Sequence, residues 1–218
     1  MRDDSGFRHS GRENRDQTVA ASEPEPAAAS ASQDPARGQR FVRSARLEDI
    51  DTIVAIQVAA WRSMYADVLP DEVITELAGA EAGERFREQW HSSLRSPPTS
   101  WHRLLVSTER RAVVGFAALG PAGDPDRWPA TDAEIYALHV DPDHVRLGHG
   151  SRLLNACVDH LTEDGFHAVH VWTLEAPNPL RAFVEAAGWA PDGARRELDV
   201  GERVPMVRFH ASIGERTG

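Results

Sequence analysis

The chain has 218 residues, of which 41% are apolar, and 24 basic against 34 acidic side chains give a net charge of −10 at pH 7. This length and composition suit one globular domain with extensions. The acidic balance argues against nucleic acid as a partner, because phosphate contacts generally need a basic face. A membrane partner is not expected either, because the sequence lacks the run of about twenty apolar residues that a membrane span requires.

The N-terminal segment differs in composition from the rest of the chain. Its first residues include several acids and no apolar stretch, so a signal peptide is not expected and the predicted location is the cytoplasm. Residues 1–39 contain one aromatic residue, Phe7, and a stretch rich in Ala, Ser, Glu and Pro. Such a segment buries too little apolar area to offset the entropy of ordering it. We therefore expect a disordered tail over residues 1–39 and one domain over residues 40–218.

The first half of that domain is predicted to be a strand followed by helices. The segment FVRSA predicts the strand, and apolar residues at spacings of three and four predict a helix that begins near Ile50 and ends near Tyr65. Pro70 opens a further helical segment, which carries an apolar stripe at i, i+4 and i+8 before Pro97 ends it.

The second half of the domain is predicted to be rich in strands. HRLLVST and AVVGFAALG predict a hairpin, and AEIYALHV predicts the next strand. An amphipathic helix follows the loop DPDHVRLGHG and stops at Gly165; FHAVHVWTL then predicts a strand and PNPLRAFVEAAG a short helix. Two weaker strands, around RRELDV and VPMVRFHA, come last. These elements predict an α+β fold with a mixed, mostly antiparallel central sheet and helices on both faces.

The stretch AEIYALHVDPDHVRLGHGSRLL carries the clearest chemical signal. A strand runs into a loop with Gly148 and Gly150, which lack Cβ atoms, and the helix that follows has a positive N-terminal end. This pattern predicts a site for a pyrophosphate, with an ordinary tight turn as the alternative. The glycine spacing fits neither the Walker nor the dinucleotide-binding pattern, and the absence of lysine from the sequence disfavours a GTP or ATP hydrolase.

This stretch resembles motif A of the GNAT superfamily of acyl-CoA-dependent N-acyltransferases, in which a strand precedes Arg or Gln, two residues, Gly, one residue, Gly or Ala, and a helix. The resemblance spans roughly residues 41–210 and includes VRSARLEDIDTIVAIQVAAWRSMYADVLP and WTLEAPNPLRAFVEAAGWAPDG. It implies a GNAT-like fold and an N-acetyltransferase that moves an acetyl group from acetyl-CoA to an amine of a small molecule or protein. A homodimer is a further family expectation.

The resemblance also implies roles for individual residues around the cofactor. The loop after the fourth strand would hold the pyrophosphate of acetyl-CoA, the backbone of that strand would pair with the pantetheine arm, and the late motif would line the other side. The cofactor-binding residues so implied are Leu138, Val140, Val145, Arg146, Leu147, Gly148, His149, Gly150, Ser151, Asn178 and Phe183.

Four further residues are candidates for the acceptor side. Glu134 begins the fourth strand, as a Glu does in several family members, and its carboxylate could take a proton from a bound ammonium; a solvated strand-end Glu is the alternative. Tyr136, two residues on and on the same face, is predicted to line the acceptor site, with a half-buried strand aromatic as the alternative. Trp61 and Tyr65 lie four apart on one helix and resemble an acceptor-side pair, although aromatics at this spacing often belong to the core.

Two departures from the family pattern bear on activity. Val145 stands where the family has Arg or Gln, and Val184 stands where it has a Tyr that acts as the acid. Because valine has no proton to give, a catalytically silent acyl-CoA-binding module is the alternative to an active enzyme. No metal site is expected, because Cys157 is the sole cysteine and because His167 and His170, three apart on a strand, face opposite ways.

Overall fold

The computed structural model describes residues 40–214, so the predicted tail over residues 1–39 lies outside the described residues. Its strands are Arg40–Ser44 (β1), Arg103–Glu109 (β2), Ala112–Pro121 (β3), Asp132–Val140 (β4), Ala168–Leu174 (β5), Ala190–Asp199 (β6) and Arg203–Ser212 (β7). Its α-helices are Ile50–Tyr65 (α1), Asp71–Leu77 (α2), Ala80–Arg95 (α3), His149–Glu163 (α4) and Pro179–Ala186 (α5).

The strands form one sheet in the order β1-β2-β3-β4-β5-β7-β6. β4 and β5 are parallel, and the other five neighbouring pairs are antiparallel. The parallel pair needs a crossover connection, which α4 provides. The predicted α+β fold, with its mixed and mostly antiparallel sheet, is confirmed.

Each face of the sheet has its own apolar core because side chains alternate along the strands. On one face, Leu153, Cys157 and Leu161 of α4 pack with strand residues such as Leu105 and Val169. On the other face, α1 and α3 pack against β2 and β3 in a second core. A third cluster joins α1 and α2 to the ends of β5 and β7. Helices therefore cover both faces, as predicted.

The helices between β1 and β2 follow the predicted pattern. α1 ends at Tyr65, and the segment opened by Pro70 divides into α2 and α3, with Gly79 as the N-cap of α3. Trp90 of α3 donates its indole N–H to the buried Gln57 of α1 over 2.7 Å, which satisfies both polar groups inside the second core.

None of the helices within residues 40–214 is long and apolar enough to cross a membrane.

Three strand irregularities could not be predicted from the sequence pattern, and the first interrupts the register of β2 and β3 between Ser107 and Thr108. Between β3 and β4, Ala118 pairs with Ala137 but Leu119 pairs with Ile135, so Tyr136 is the extra residue of a β-bulge. β6 is longer than the predicted segment and also contains an irregularity, between its residues 191 and 195. An alternating pattern does not reveal a bulge, because the residues on each side of it still alternate normally.

Candidate active site

The parallel strands β4 and β5 pair over only part of their length, and we call the gap between their unpaired parts the cleft. Their register runs from Asp132 with Ala168 to Ile135 with Val171, whereas β4 continues to Val140. The bulge at Tyr136 follows the last paired position directly, and a bulge bends the strand that carries it. The later part of β4 therefore borders the cleft instead of pairing with β5.

Leu138 and Val140, predicted to lie against the cofactor, are in this later part of β4. Leu138 is buried in the core under α4, and Val140 packs against the same core. Their side chains thus turn towards α4. A ligand in the cleft would therefore meet the backbone polar groups of β4, which is the contact that the family resemblance implies.

The predicted phosphate loop connects β4 to α4. It starts with a 3-10 turn over Pro142–His144, and Arg146 and Gly148 both have left-handed backbones, with φ of 63° and 83°. Gly148 is the N-cap of α4 and has no side chain with which to cap the helix. The N–H groups of the first helical turn, those of His149, Gly150 and Ser151, are therefore left for an external acceptor. Such a helix start favours an anion.

Gly150, in the first turn of α4, lies close to residues of α5 and β4. A Cβ added there would lie 3.6 Å from the Phe183 ring and 3.8 Å from Val140 Cγ2. The predicted ligand residues Gly150, Phe183 and Val140 are therefore brought together from α4, α5 and β4. A Cβ here would make ordinary van der Waals contacts, so the glycine leaves a small free space beside the N-terminus of α4.

The side chain of His149 is not available to a ligand. Its ring is buried: the Ser107 hydroxyl donates to Nδ1 over 2.8 Å, and Nε2 donates to Glu109 over 3.2 Å. Burial lowers the pKa of His149, which keeps the ring neutral and suited to one donated and one accepted bond. His149 thus ties the loop to β2, and its backbone N–H is the part that faces outwards.

The remaining loop residues present apolar and cationic groups at the surface. Val145 and Leu147 are 50% and 42% exposed, which is unusual for apolar side chains. Arg146 is exposed, Ser151 is exposed, and Arg152 donates to the carbonyl of Leu147 over 3.3 Å. The loop can therefore contact a ligand through its apolar side chains, while Arg146 supplies a positive charge.

Asn178 is fully occupied by bonds within the protein. Its Oδ1 accepts from the Arg181 backbone and from the Thr173 hydroxyl, both over 3.0 Å. Its amide donates to the carbonyls of Leu174 and Ala176. The side chain caps α5 and fixes the end of β5, so it orders the wall that carries Phe183. Direct contact with the cofactor stays a prediction.

Val184, which takes the place of the family tyrosine, faces the protein interior. It is 1% exposed and belongs to the core that contains α4 residues. The position therefore has neither an ionisable group nor an opening towards the cleft.

Glu134 has a carboxyl group that is buried in the structure. It lies between Ala133 and Ile135, whose side chains belong to the core under α4, so its carboxylate points to the opposite face. Only 8% of the residue is exposed. Burial and then the nearby charge of Asp124 raise the pKa of Glu134, although the backbone N–H of Gly123 donates to it. A buried carboxylate of this kind is suited to proton transfer.

Tyr136 lies beside Glu134 and interacts with its charge. The Tyr136 hydroxyl donates to the carbonyl of Pro121 over 2.6 Å, and its ring stacks on His102 with centroids 6.0 Å apart. Burial and Glu134 together raise its pKa to about 12. The residue is nevertheless 44% exposed, so the ring borders open space next to Glu134.

Trp61 and Tyr65 belong to a packed aromatic cluster. The Trp61 ring makes edge contacts with Phe86 at 5.1 Å and with Tyr65 at 5.8 Å. Tyr65 is buried in the cluster that contains Trp172 of β5, and burial raises its pKa to about 12. The structure thus places the pair in packed surroundings, and their contact with an acceptor stays a prediction.

A buried cluster of charged residues on the face away from α4 was not predicted from the sequence. Arg208 of β7, 1% exposed, pairs with carboxylates at 2.8 Å, 2.6 Å and 2.8 Å, those of Asp124, Asp126 and Asp192. Trp172 donates its indole N–H to Asp124 over 2.9 Å and lies under the Arg208 guanidinium. The acids in PAGDPDRWPATD were visible in the sequence, but nothing in it identified their distant partner.

The residues described above can bind an anionic ligand on the α4 face of the sheet and transfer a proton on the opposite face. The open helix start and Gly150 fit the pyrophosphate of a CoA ester, since both the N–H donors and the space that a Cβ would fill are present. Glu134 lies one position before the last paired residue of β4, close to where the two strands separate, and on the face away from α4. Among residues 40–214, no group of His, Cys, Asp and Glu side chains is placed to hold a metal ion.

Comparison with known proteins identifies relatives of the chain. A model of the acetyltransferase (GNAT) family matches residues 59–189. The N-acetyltransferase YuaI of Bacillus subtilis strain 168, itself uncharacterized, is 32% identical over 146 residues, which are 66% of this chain and 77% of YuaI. The residues that match the family model include β4, the loop and α4.

Solved structures share the fold. YncA from Salmonella typhimurium, solved with its cofactor acetyl-CoA, has a TM-score of 0.58 at 18% identity and covers 83% of this chain and 97% of its own. The PaiA N-acetyltransferase from Thermoplasma acidophilum, in complex with coenzyme A, has a TM-score of 0.59 at 17% identity, over 79% and 98% of the two chains. At these identities the likeness is one of fold.

Proposed function

The chain belongs to the acetyltransferase (GNAT) family, and from this premise we propose that it acetylates an amine of a small molecule or a protein with Glu134 as general base. The family, the GNAT-like fold and the enzyme class, an acyltransferase that uses acetyl-CoA as donor, are confirmed as predicted from the sequence. The acceptor and the roles of individual residues belong to the proposal.

The donor side of the proposal rests on the loop and α4. Acetyl-CoA, when bound, supplies an acetyl group activated as a thioester. The N–H groups of His149, Gly150 and Ser151 would hold its pyrophosphate, and Phe183 would close the other side of the loop. The side chains of His149 and Asn178 support this site from behind, through their bonds within the protein.

The buried carboxylate of Glu134 is the observation that carries the proposal. An amine acceptor is largely protonated at neutral pH and becomes a nucleophile only after it loses a proton. The raised pKa of Glu134 makes its carboxylate a better proton acceptor than an exposed one. Its place beside the cleft, next to the partly exposed Tyr136, is where an amine could reach it.

No side chain is assigned to protonate the departing thiolate. Val184 has no proton and faces the core. A thiol with a pKa of about 8.5 is a tolerable leaving group, so the proposed reaction does not require a dedicated acid.

The experiment measures thiol release from acetyl-CoA with polyamines, aminoglycosides, amino acids and peptide N-termini as acceptors, for the wild type and Glu134→Gln. We expect Glu134→Gln to lower kcat/KM about 10²-fold below the pKa of the amine, where a base is needed. Its acetyl-CoA affinity by calorimetry should be unchanged. Glu163→Gln, at an exposed position at the far end of α4, is the matched control.

Two outcomes would contradict the proposal. If the pH profile of Glu134→Gln overlays that of the wild type, Glu134 is a structural strand residue. If no amine gives thiol release with the wild type, the alternative of a silent acyl-CoA-binding module replaces the proposal.

The remaining sequence predictions accompany this proposal. A tail over residues 1–39 and a catalytic domain over residues 40–218 are its domain limits. The cytoplasmic location, the homodimer, and the expectation of neither nucleic acid nor membrane as partner stay predictions.

A further inference from the structure

The connection between β3 and β4 is tied to the sheet through Arg208. The loop supplies Asp124, at 2.8 Å from the guanidinium, and Asp126, which accepts two bonds at 2.8 Å and 2.6 Å. β6 supplies Asp192, which also pairs with Arg127 of the loop over 2.6 Å. A buried guanidinium with three carboxylates is a strong and specific link, since charge-assisted bonds are stronger than neutral ones.

The tied loop begins beside Glu134: Pro121 pairs with Ala133, and the N–H of Ala122 donates to the carbonyl of Asp132 over 2.8 Å. The backbone N–H of Gly123 donates to the Glu134 carboxylate, and the next residue, Asp124, is close enough to act on its charge. The same Asp124 carboxylate accepts from Arg208 and from the indole of Trp172. Arg208 acts on Glu134 directly as a nearby positive charge, which lowers the pKa of Glu134, and it also holds the loop residue Asp124.

We propose that Arg208 is a positioning residue for the base: by holding Asp124 and Asp126 it keeps the β3–β4 loop beside Glu134 and so keeps the carboxylate shielded from water. This inference rests on the proposed function, because it concerns the same base. In this proposal the β3–β4 loop shields the base from water in addition to connecting two strands.

Several titratable and charged groups surround Glu134. They come from the loop and from four strands and are Asp124, Tyr136 on β4, His170 on β5, Arg196 on β6 and Arg208 on β7. Desolvation is the largest cause of its raised pKa. Release of the loop would therefore lower this pKa towards the ordinary value, because water would reach the carboxylate.

The test uses Asp126→Ala instead of a change at Arg208. Loss of the arginine would leave three carboxylates without their cation and endanger folding. Asp126 is 59% exposed, yet it gives Arg208 two of its bonds. The control is Asp164→Ala, which removes a comparable bidentate pair with Arg103 elsewhere in the structure.

The readout is the pH dependence of kcat/KM with an accepted amine. We expect Asp126→Ala to move the acid limb to lower pH, since a base with a lower pKa stays ionised further into acid. The plateau should fall about threefold to tenfold because the base is weaker and less well placed. Asp164→Ala should keep the wild-type profile even if it lowers the melting temperature. An Asp126→Ala profile that overlays the wild type, or moves to higher pH, would overturn the proposal.

A second measurement does not depend on turnover. The Glu134 carboxyl can be titrated by carbon-13 NMR in labelled full-length protein, with Glu134→Gln to assign the signal. The pKa must fall in Asp126→Ala and not in Asp164→Ala. If the wild type acetylates no amine, the proposed function fails while this titration still decides whether Arg208 positions Glu134.

Discussion

Neighbouring residues in the site differ sharply in what their side chains can do. Glu134 has core residues on both sides in the sequence, yet its own carboxylate points to the face away from α4 and accepts a loop N–H. His149 begins the helix proposed to bind the pyrophosphate, yet its ring is buried against Ser107 and Glu109. In both cases the direction of the side chain, set by the backbone, decides whether the residue acts on a ligand or supports the fold.

A tyrosine introduced at Val184 tests this point. Because Val184 is fully buried, we expect Val184→Tyr to overpack the core and lower the free energy of unfolding by about 1–3 kcal/mol. Urea denaturation measures the loss. Ala186→Tyr, at an exposed position of the same helix, is the control and should be nearly neutral. A rise in kcat for Val184→Tyr alone would show instead that the hydroxyl reaches the cleft and supplies an acid.

At the level of whole elements, the segment from β4 through the loop to α4 was more predictable than the contacts of the β3–β4 loop. β4, the loop and α4 are contiguous, so their alternation, glycines and amphipathic stripe all appear within residues 132–163. The link from Asp124 to Arg208 joins residues 84 positions apart and has no local signal. The bulge at Tyr136 was equally hidden, yet a bulge can place consecutive side chains on one face. Tyr136 therefore still lies beside Glu134, as the simple alternation predicted.

The start of α4 provides the prediction for the donor side. We expect Gly150→Asp to weaken acetyl-CoA binding about tenfold or more, because a carboxylate would occupy the helix N-terminus that is open to the pyrophosphate. Isothermal calorimetry measures the affinity. Asn155→Asp adds the same charge at an exposed position further along α4 and is the control. Equal affinities for Gly150→Asp and the control would remove the phosphate role from this loop.

For the molecule as a whole, the sheet divides the chemistry between its two faces. α4 and its loop lie on one face of the sheet, whereas Glu134, Trp172 and Arg208 lie on the other. The cleft between β4 and β5 connects the two faces. An acetyl donor held on the α4 side can thus meet an acceptor held on the α1 side. The net charge of −10 would attract cationic amines and raise their encounter rate, without determining which amine is accepted.

The domain predicted over residues 40–218 would begin with β1, at one edge of the sheet. β1 begins at Arg40, whose guanidinium pairs with Glu109 over 2.7 Å, and Arg43 of β1 holds Asp49 with two bonds. The composition of residues 1–39 offers little apolar area with which to add to this edge. We therefore expect removal of residues 1–39 to leave the melting temperature and the acetyl-CoA affinity unchanged, whereas removal of residues 1–45 should lower the melting temperature by taking β1 away. Equal losses from both truncations would show instead that the first 39 residues contribute to the fold.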